Sequence, residues 1–589
     1  KPPAKSEYIF KKLPRFEPPF LDLSPKEISF NFLNQKKILK WPITWHSKQW
    51  SRLWQFNLHY FDWSRNWLEE RIKNGYWPSE SIYLQTLIDS WIKSNNDGKG
   101  DGWHSYTISL RLRNWFWLFL FIPSLSTKER EASFWRQLLW LRNHIEHHHG
   151  GNHLLENLIS LSIVSLYWDS PDSQKVHNSS LIKLKKELEK QILNDGSHEE
   201  RSASYSLLIL DRLVELGCVL AFVKNHRPFW LVKKIELMFK WSNDIILEKN
   251  IIPKFNDSPK DICHDIENII EFTRAFLGYG EVNHKGLRLE LINLVKSRSY
   301  KFKEQISILK DRRKPLKRLS DTGWTFIRPG NGWEIIFKCG TPCPKETSAH
   351  VHSDLLSFEI FKNGEAVITE VGTSIYKNSL RRNYERSSAA HNTIQIGIKS
   401  KNKYKWIEPV EVWQSFRAGR KAKIISYSQG IEKNWYWAQG AHDGYLKINT
   451  TIKRWIGIKL DKNLGPIFVV LDIIKSNKKV VCRSWIHHGP KSQLFLNKSK
   501  LKWTHLCSKN KFNVTSKIGY IANGFGLTEK RYFSKINVKS FNGDLFLISV
   551  LTKNNNKVTY DNNSSNLFLK INEKEFIFID KNNNKINIL

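Results

Sequence analysis

Lys310 to Lys317 reads KDRRKPLK, a basic, proline-containing stretch that separates two kinds of sequence pattern. Proline removes a backbone donor and the clustered charges leave no apolar face to bury, so the stretch reads as a linker. Upstream of it the apolar spacing is helical. Leu84, Leu87, Ile88, Trp91 and Ile92 follow the i, i+3, i+4, i+7, i+8 series that makes one stripe on a helix. Further segments of this kind lie near residues 105–122, 131–145, 153–167, 181–193, 202–223, 229–247 and 265–279. Their punctuation includes a capping-box pattern, Ser197-x-x-Glu200, and a DGKGDG turn at Asp97–Gly102. Downstream, short alternating apolar runs take over: Trp333–Phe337, Leu356–Phe361, Ala366–Val371, Pro466–Ile474 and Leu545–Leu551. Such runs between turn signals argue for an antiparallel sandwich, and the KNNNK stretches at Lys553–Lys557 and Lys581–Lys585 read as hairpin tips. The expected organisation is therefore a helical domain over residues 1–312 and an antiparallel β-sandwich over 318–589.

The remaining composition narrows the class. At 589 residues the chain is long enough for several domains of roughly 100 to 200 residues each, which excludes a peptide hormone or a lone binding module. It is 40% apolar with 25 Trp, so it can bury enough surface to fold in spite of its charge. Lys and Arg number 93 against 56 Asp and Glu, a net charge of +37 that should gather polyanions: nucleic acid, anionic lipid or acidic polysaccharide. Six Cys are too few for a disulfide framework, and Cys339-x3-Cys343 has no second pair to complete a zinc site. The longest apolar block, Trp115–Ile122 (WFWLFLFI), is too short to span a bilayer and reads as a buried helix segment. Phosphate-binding glycine loops, the dinucleotide fingerprint and H-E-x-x-H are all absent.

Three clusters carry the chemistry. In the first, Gly150-Gly151-Asn152-His153-Leu154-Leu155-Glu156, the Gly-Gly break puts Asn152 and His153 at a helix start, with Glu156 on the same face; capping of free N–H groups would use the same residues. The second runs from Asp195 to Tyr205, with Tyr205 just inside a helix and Arg201 one turn before it on the same face; a core tyrosine with a bonded tip fits equally. The third begins at His350-Val351-His352-Ser353-Asp354, continues through a hairpin turning at Asn363-Gly364, and ends at Ala390-His391-Asn392-Thr393. A two-residue turn pairs Lys362 with Glu365 and, counting back, Ser357 with Glu370, which brings Glu370 to the hairpin base near His352. Two or three His and a carboxylate at one sheet end are zinc-ligand types, although surface His would read the same way. The His-rich stretch 144–149 reads as a helix end complementing the dipole.

In this order, together with the aromatic stretch Trp54–Trp63 containing NLHYFD, these motifs resemble the heparinase II/III family of polysaccharide lyases. The resemblance covers most of the chain and implies an N-terminal incomplete (α/α) toroid followed by a C-terminal antiparallel β-sandwich. It implies that Tyr205 protonates the leaving glycosidic oxygen, that His350 is an alternative base, and that Asn152 and His153 neutralise the uronate carboxylate. It further implies a structural zinc ion on His352, Glu370 and His391; from their charge and position, Glu156, Arg201 and, beside His391, Arg386 are candidate substrate contacts. The family more often has Asp where Glu370 stands. The implied partner is an anionic polysaccharide, without nucleic acid or stable membrane insertion, in the periplasm or outside the cell.

The residue types suit β-elimination. A C5 proton beside a carboxylate is weakly acidic until donors neutralise that carboxylate, and Tyr, ordinarily near pKa ~10, needs nearby positive charge to act as a base. A uronate C5-epimerase would begin with the same proton abstraction, and a non-catalytic polyanion-binding protein would share the charge.

Overall fold

A computed structural model describes residues 2–10, 13–17, 23–263, 265–297, 313–344, 348–401, 403–413, 418–509, 512–581, 583 and 585–589. The start of the KDRRKPLK stretch, Lys310–Arg312, lies outside them. Contacts divide the chain into two compact units: Lys1–Glu199, Ser204–Asn243 and Asp261–Ile306 form one, and Glu200–Ala203, Asp244–Lys260 and Ser307–Leu589 form the other.

The first unit is helical. The expected helices are present as Leu84–Ser94, Ser105–Phe121, Lys128–Asn143, Gly151–Val164, Pro171–Gln191, Ala203–Lys224, Phe229–Ile245 and Ile266–Leu277. Ser105–Phe121, which holds WFWLFLF, is buried around its whole circumference, apolar in its second half and carrying the buried Arg111, Arg113 and Asn114 in its first. Its Trp115 packs edge-on against Phe61 and Trp91, and Arg111 lies 3.8 Å over the Trp91 ring. One element escaped the helical reading. Glu27–Phe32 and Gln35–Lys40 form a hairpin, closed by Leu33 and Asn34 at φ 55° and 58°. Its alternation is short, and the turn lacks the glycine that usually marks such a hairpin.

The second unit is a layered β structure. A five-stranded antiparallel sheet, Leu316–Leu319 through Glu365–Ile368, faces a nine-stranded sheet built around the long strands Gly465–His487 and Leu527–Lys553. Ile335, Phe337, Phe358, Phe468, Val470 and Leu547 are in the core between them. The opposite side of the large sheet, carrying Trp455, Val469, Leu471, Ile548 and Val550, packs against a four-stranded sheet formed by Val558–Ile588. The middle sheet is thus covered on both faces, which explains why its strands read as near-continuous apolar runs instead of clean alternation. The long strands are longer than the short runs expected, and Gly465–His487 changes register between Ser476 and Cys482, where a bulge lets one strand serve two neighbours. Lys581–Lys585 does lie between paired strands, but Lys553–Lys557 joins two different sheets and is not a hairpin tip. All six cysteines are free and buried. Among the described residues no helix is long and apolar enough to cross a membrane.

Candidate active site

In the helical unit the Gly151–Val164 helix starts from Gly150 at φ 62°, with no side-chain cap bond. Asn152 therefore sits inside the first turn and is not the cap; it is buried, as is Glu156. His153 is partly exposed, bonds the Glu146 carboxylate through Nδ1 at 3.1 Å, and stacks on the Tyr106 ring at 4.1 Å. Glu146 also accepts from Asn157 Nδ2 at 3.0 Å and lies 3.8 Å from His104 Nε2. Burial would raise the Glu146 carboxyl, but His153, His104 and Asn157 hold it below its usual range. Tyr106 meets Tyr60 edge-on at 6.0 Å, and Tyr60 lies close enough to Tyr205 for their charges to interact. Burial pushes Tyr60 and Tyr106 well above an ordinary phenol, so both are neutral donors. The unit thus gathers His153, Tyr106, Tyr60, Glu146 and His104 into one polar cluster; Asn152 precedes His153 in the same helix, and Tyr205 is buried in the first turn of the helix Ala203–Lys224.

Glu156 faces inward. It bonds Arg113 and lies 3.5 Å from Arg212 Nε. Arg113 and Arg65 also engage Glu215, which accepts from Trp117 Nε1 at 2.6 Å. The carboxylate expected at the substrate belongs to this buried ionic network. The His-rich stretch begins just past the helix Lys128–Asn143; His144 stacks on Trp140 at 3.7 Å, and His149 reaches to 5.7 Å from His153.

In the β unit an unforeseen residue is the hub. Asp257 accepts both Arg382 Nη1 and Nη2 at 2.6 Å, bonds His350 Nδ1 at 3.0 Å and His352 Nε2 at 2.9 Å, and accepts Thr373 Oγ1 at 2.8 Å. Burial would raise its carboxyl, but Arg382 and then the two imidazoles hold it well below the usual carboxylate range. His350 is thereby fixed by Nδ1, with its Nε2 3.9 Å from Glu200. The loop carrying Asp257 is secured by Asn256, at φ 55°, which accepts from Lys338 Nζ at 2.7 Å and donates to the Arg201 carbonyl at 3.1 Å. Nothing in local spacing links a loop Asp in FNDS to imidazoles some ninety residues later, so the sequence did not reveal it.

Two expected contacts differ from the sequence reading. The helix holding Tyr205 starts at Ala203, so Arg201 is not on its face; at φ 51° it turns away and donates from Nε to the Asp321 carbonyl at 3.0 Å. Arg386 is buried and donates to the Val351, Trp413 and Ser348 carbonyls, fastening the loop behind His350. The hairpin pairs Lys362 with Glu365 as expected, then slips by one at a bulge, so Ile360 meets Ile368. Glu370 still reaches the hairpin base, where it accepts from Ser357 and pairs with His391 Nδ1.

Of the donors that the resemblance implies for zinc, the two imidazoles are in place. His352 and His391 are fully buried with rings 5.3 Å apart, and His352 Nδ1 and His391 Nε2 have no hydrogen-bond partner. Asp257 behind His352 occupies the position of a carboxylate that orients a metal-binding imidazole. Glu370 commits both oxygens to hydrogen bonds as placed, and among the described residues no three His, Cys, Asp or Glu side chains are grouped to hold a metal ion.

A helical toroid joined in one chain to an antiparallel β-sandwich is the architecture of the toroid-sandwich class of proteins. Residues 27–277 match the heparinase II/III N-terminal family model and residues 311–557 the heparinase II/III-like C-terminal model, so the chain belongs to the heparinase II/III family, carbon–oxygen lyases acting on polysaccharides. Among solved structures it is similar to heparinase III, with 15% identity, TM-score 0.66, and coverage of 93% of this chain and 85% of that one. It is also similar to a mutant of the heparan sulfate lyase HepC from Pedobacter heparinus, with 16% identity, TM-score 0.58, and coverage of 94% and 86%. No curated protein sequence matches the chain.

Proposed function

We propose that the protein cleaves a uronic-acid-containing anionic polysaccharide by β-elimination. The observation that carries this reading is the polar cluster of the helical unit: Tyr60 packs on Tyr106, Tyr106 stacks on His153, and Tyr205 is near enough to Tyr60 for their charges to interact. Asn152 and His153 donate to the uronate carboxylate and stabilise the charge that develops when the C5 proton leaves. The C5–H electrons form the C4–C5 double bond, and the C4–O pair departs with the glycosidic oxygen, which Tyr205 protonates. Tyr205 or His350 removes the C5 proton; Asp257 on Nδ1 would make Nε2 the basic nitrogen of the His350 ring. Glu156 and Arg386 act by positioning.

A zinc ion would be held by His352, His391 and Glu370 and would fix the hairpin base as a structural ion. Such an enzyme would work in the periplasm or outside the cell, where its polymer is found. The test is a panel of heparan sulfate, chondroitin sulfate and alginate, read by the ultraviolet absorbance of the 4,5-unsaturated product. Tyr205→Phe should bind the cleaved polymer and lose about a hundredfold or more in turnover. Unchanged turnover in that variant refutes the assignment, and C5 inversion without absorbance identifies an epimerase.

A further inference from the structure

Cys482 and Ile486 on the strand Gly465–His487 enter the core between sheets, so Arg483 and Trp485, alternating with them, point to the opposite face. The register extends this face across neighbouring strands. Trp485 is opposite Lys535, which is opposite Thr515; His487 is opposite Phe533, which is opposite Lys517. On the other side Val481 faces Gly397, and Gly397 faces Trp406. A Cβ on Gly397 would stand 3.1 Å from the Trp406 ring, so the missing side chain lets that indole lie across the sheet.

Arg483 stacks on Trp406 at 3.7 Å, Lys535 lies 5.6 Å from the Trp485 ring, and Trp485 is 5.8 Å from Phe533. Two buried arginines of this unit face carboxylates, Arg454 with Asp472 and Arg382 with Asp257. Here the charges acting on Lys535 are Arg483 and Lys517, both of its own sign, and burial lowers Arg483 with no carboxylate opposing it. Glu408, which bonds Gln395 opposite Arg483, is taken up by Gln395 and Ser388. Like charges gathered on a half-buried aromatic floor repel one another unless an anion lies between them.

We propose that this face binds a segment of anionic polysaccharide, with a sugar ring lying on the half-buried Phe533, which the buried Trp485 backs, and sulfate or carboxylate groups held by Arg483, Lys517 and Lys535. The choice of polymer rests on the lyase reading; the cation and ring geometry does not. Guanidinium and ammonium groups supply charge-assisted bonds to such anions, and the accessible part of the Phe533 ring supplies flat apolar area.

The test measures binding of heparan sulfate, chondroitin sulfate and alginate by calorimetry to the full chain and to R483Q/K517Q/K535Q. A control, K185Q/K233Q/K240Q, removes the same charge from the helical unit. The parent should bind at least one polymer, the face variant should lose about tenfold or more in affinity for it, and the control should stay within about twofold. Equal melting temperatures verify folding, and the single exposed change K517E should weaken binding in the same direction even if the triple variant is unstable. The proposal is overturned if the parent binds none of the three, if the face variants bind like the parent, if the control loses as much, or if single-stranded DNA binds as tightly with the same dependence. Product absorbance separates the two readings: cleavage with unaltered binding in the face variants removes this site alone, whereas lost binding in a protein that cleaves nothing removes the lyase reading alone.

Discussion

Replacing Asp257 by Asn keeps its volume and removes its charge. Arg382 would then be left with both terminal nitrogens facing a neutral amide, at a site where the carboxylate is fully buried and the guanidinium is only 2% exposed. Removing one partner of a buried ion pair costs about 3 to 5 kcal/mol, because the remaining charge has neither water nor counter-charge. For a folded unit of this size each kcal/mol moves the melting temperature by about 2 to 4 °C, so D257N should melt roughly 6 to 20 °C lower. R382Q should lose a similar amount, and the double variant D257N/R382Q should lose clearly less than the sum, since no lone charge remains. Calorimetric melting of the four proteins completes the cycle. The amide can also donate to His350 Nδ1 and change its tautomer, so any rate loss in D257N should persist below its melting range. A D257N protein melting within about 2 °C of the parent, or strictly additive losses, would refute the hub reasoning.

Other predictions follow from single groups. Burial would raise Glu215, but Arg113, Arg65 and Arg212 hold it well below the usual carboxylate range, so its contribution is complete above the unfolded value near ~4.3 and is lost as pH falls through the folded one. E215Q should therefore be less stable than the parent at neutral pH, with the gap narrowing below about pH 4 in urea melts. Purified protein should carry about one zinc per chain by elemental analysis, and H352A and H391A should each lose most of it; parent protein that takes up none on zinc titration would remove the zinc assignment. Gly196 adopts φ +98°, and a Cβ there would run into the Leu237 carbonyl and the Trp241 side chain. G196A should cost about 2 to 5 kcal/mol in denaturant unfolding.

Local signals told most of the architecture. Helical stripes located most of the helices, although Pro171–Gln191 begins ten residues before its stripe and Arg52–Tyr60, Asp62–Asn74 and Leu287–Lys296 were not marked; Asn363-Gly364 located its hairpin, because such signals depend on neighbours in sequence. Features set by distant partners were not legible. Arg201 looks like a helix residue until its φ of 51° is seen, and Glu156 looks like a ligand-facing carboxylate until Arg113 and Arg212 are placed around it. Asp257 had no signal, since its importance comes from Arg382, His350 and His352 arriving from elsewhere. The His-Asn-Tyr residues were found through ordered motifs and not through periodicity.

The sheet covered on both faces also bears on where the molecule can be cut. The C-terminal family match stops at residue 557, yet Leu567, Leu569, Ile571, Phe576 and Ile579 lie beyond it and share a core with Trp455, Val469 and Ile548. A fragment ending at that boundary would present a broad β-rich apolar surface to solvent, the kind of surface that pairs with other chains and precipitates. The recognisable module and the smallest soluble piece are therefore different objects, and expression trials or domain grafts should carry the last four strands along.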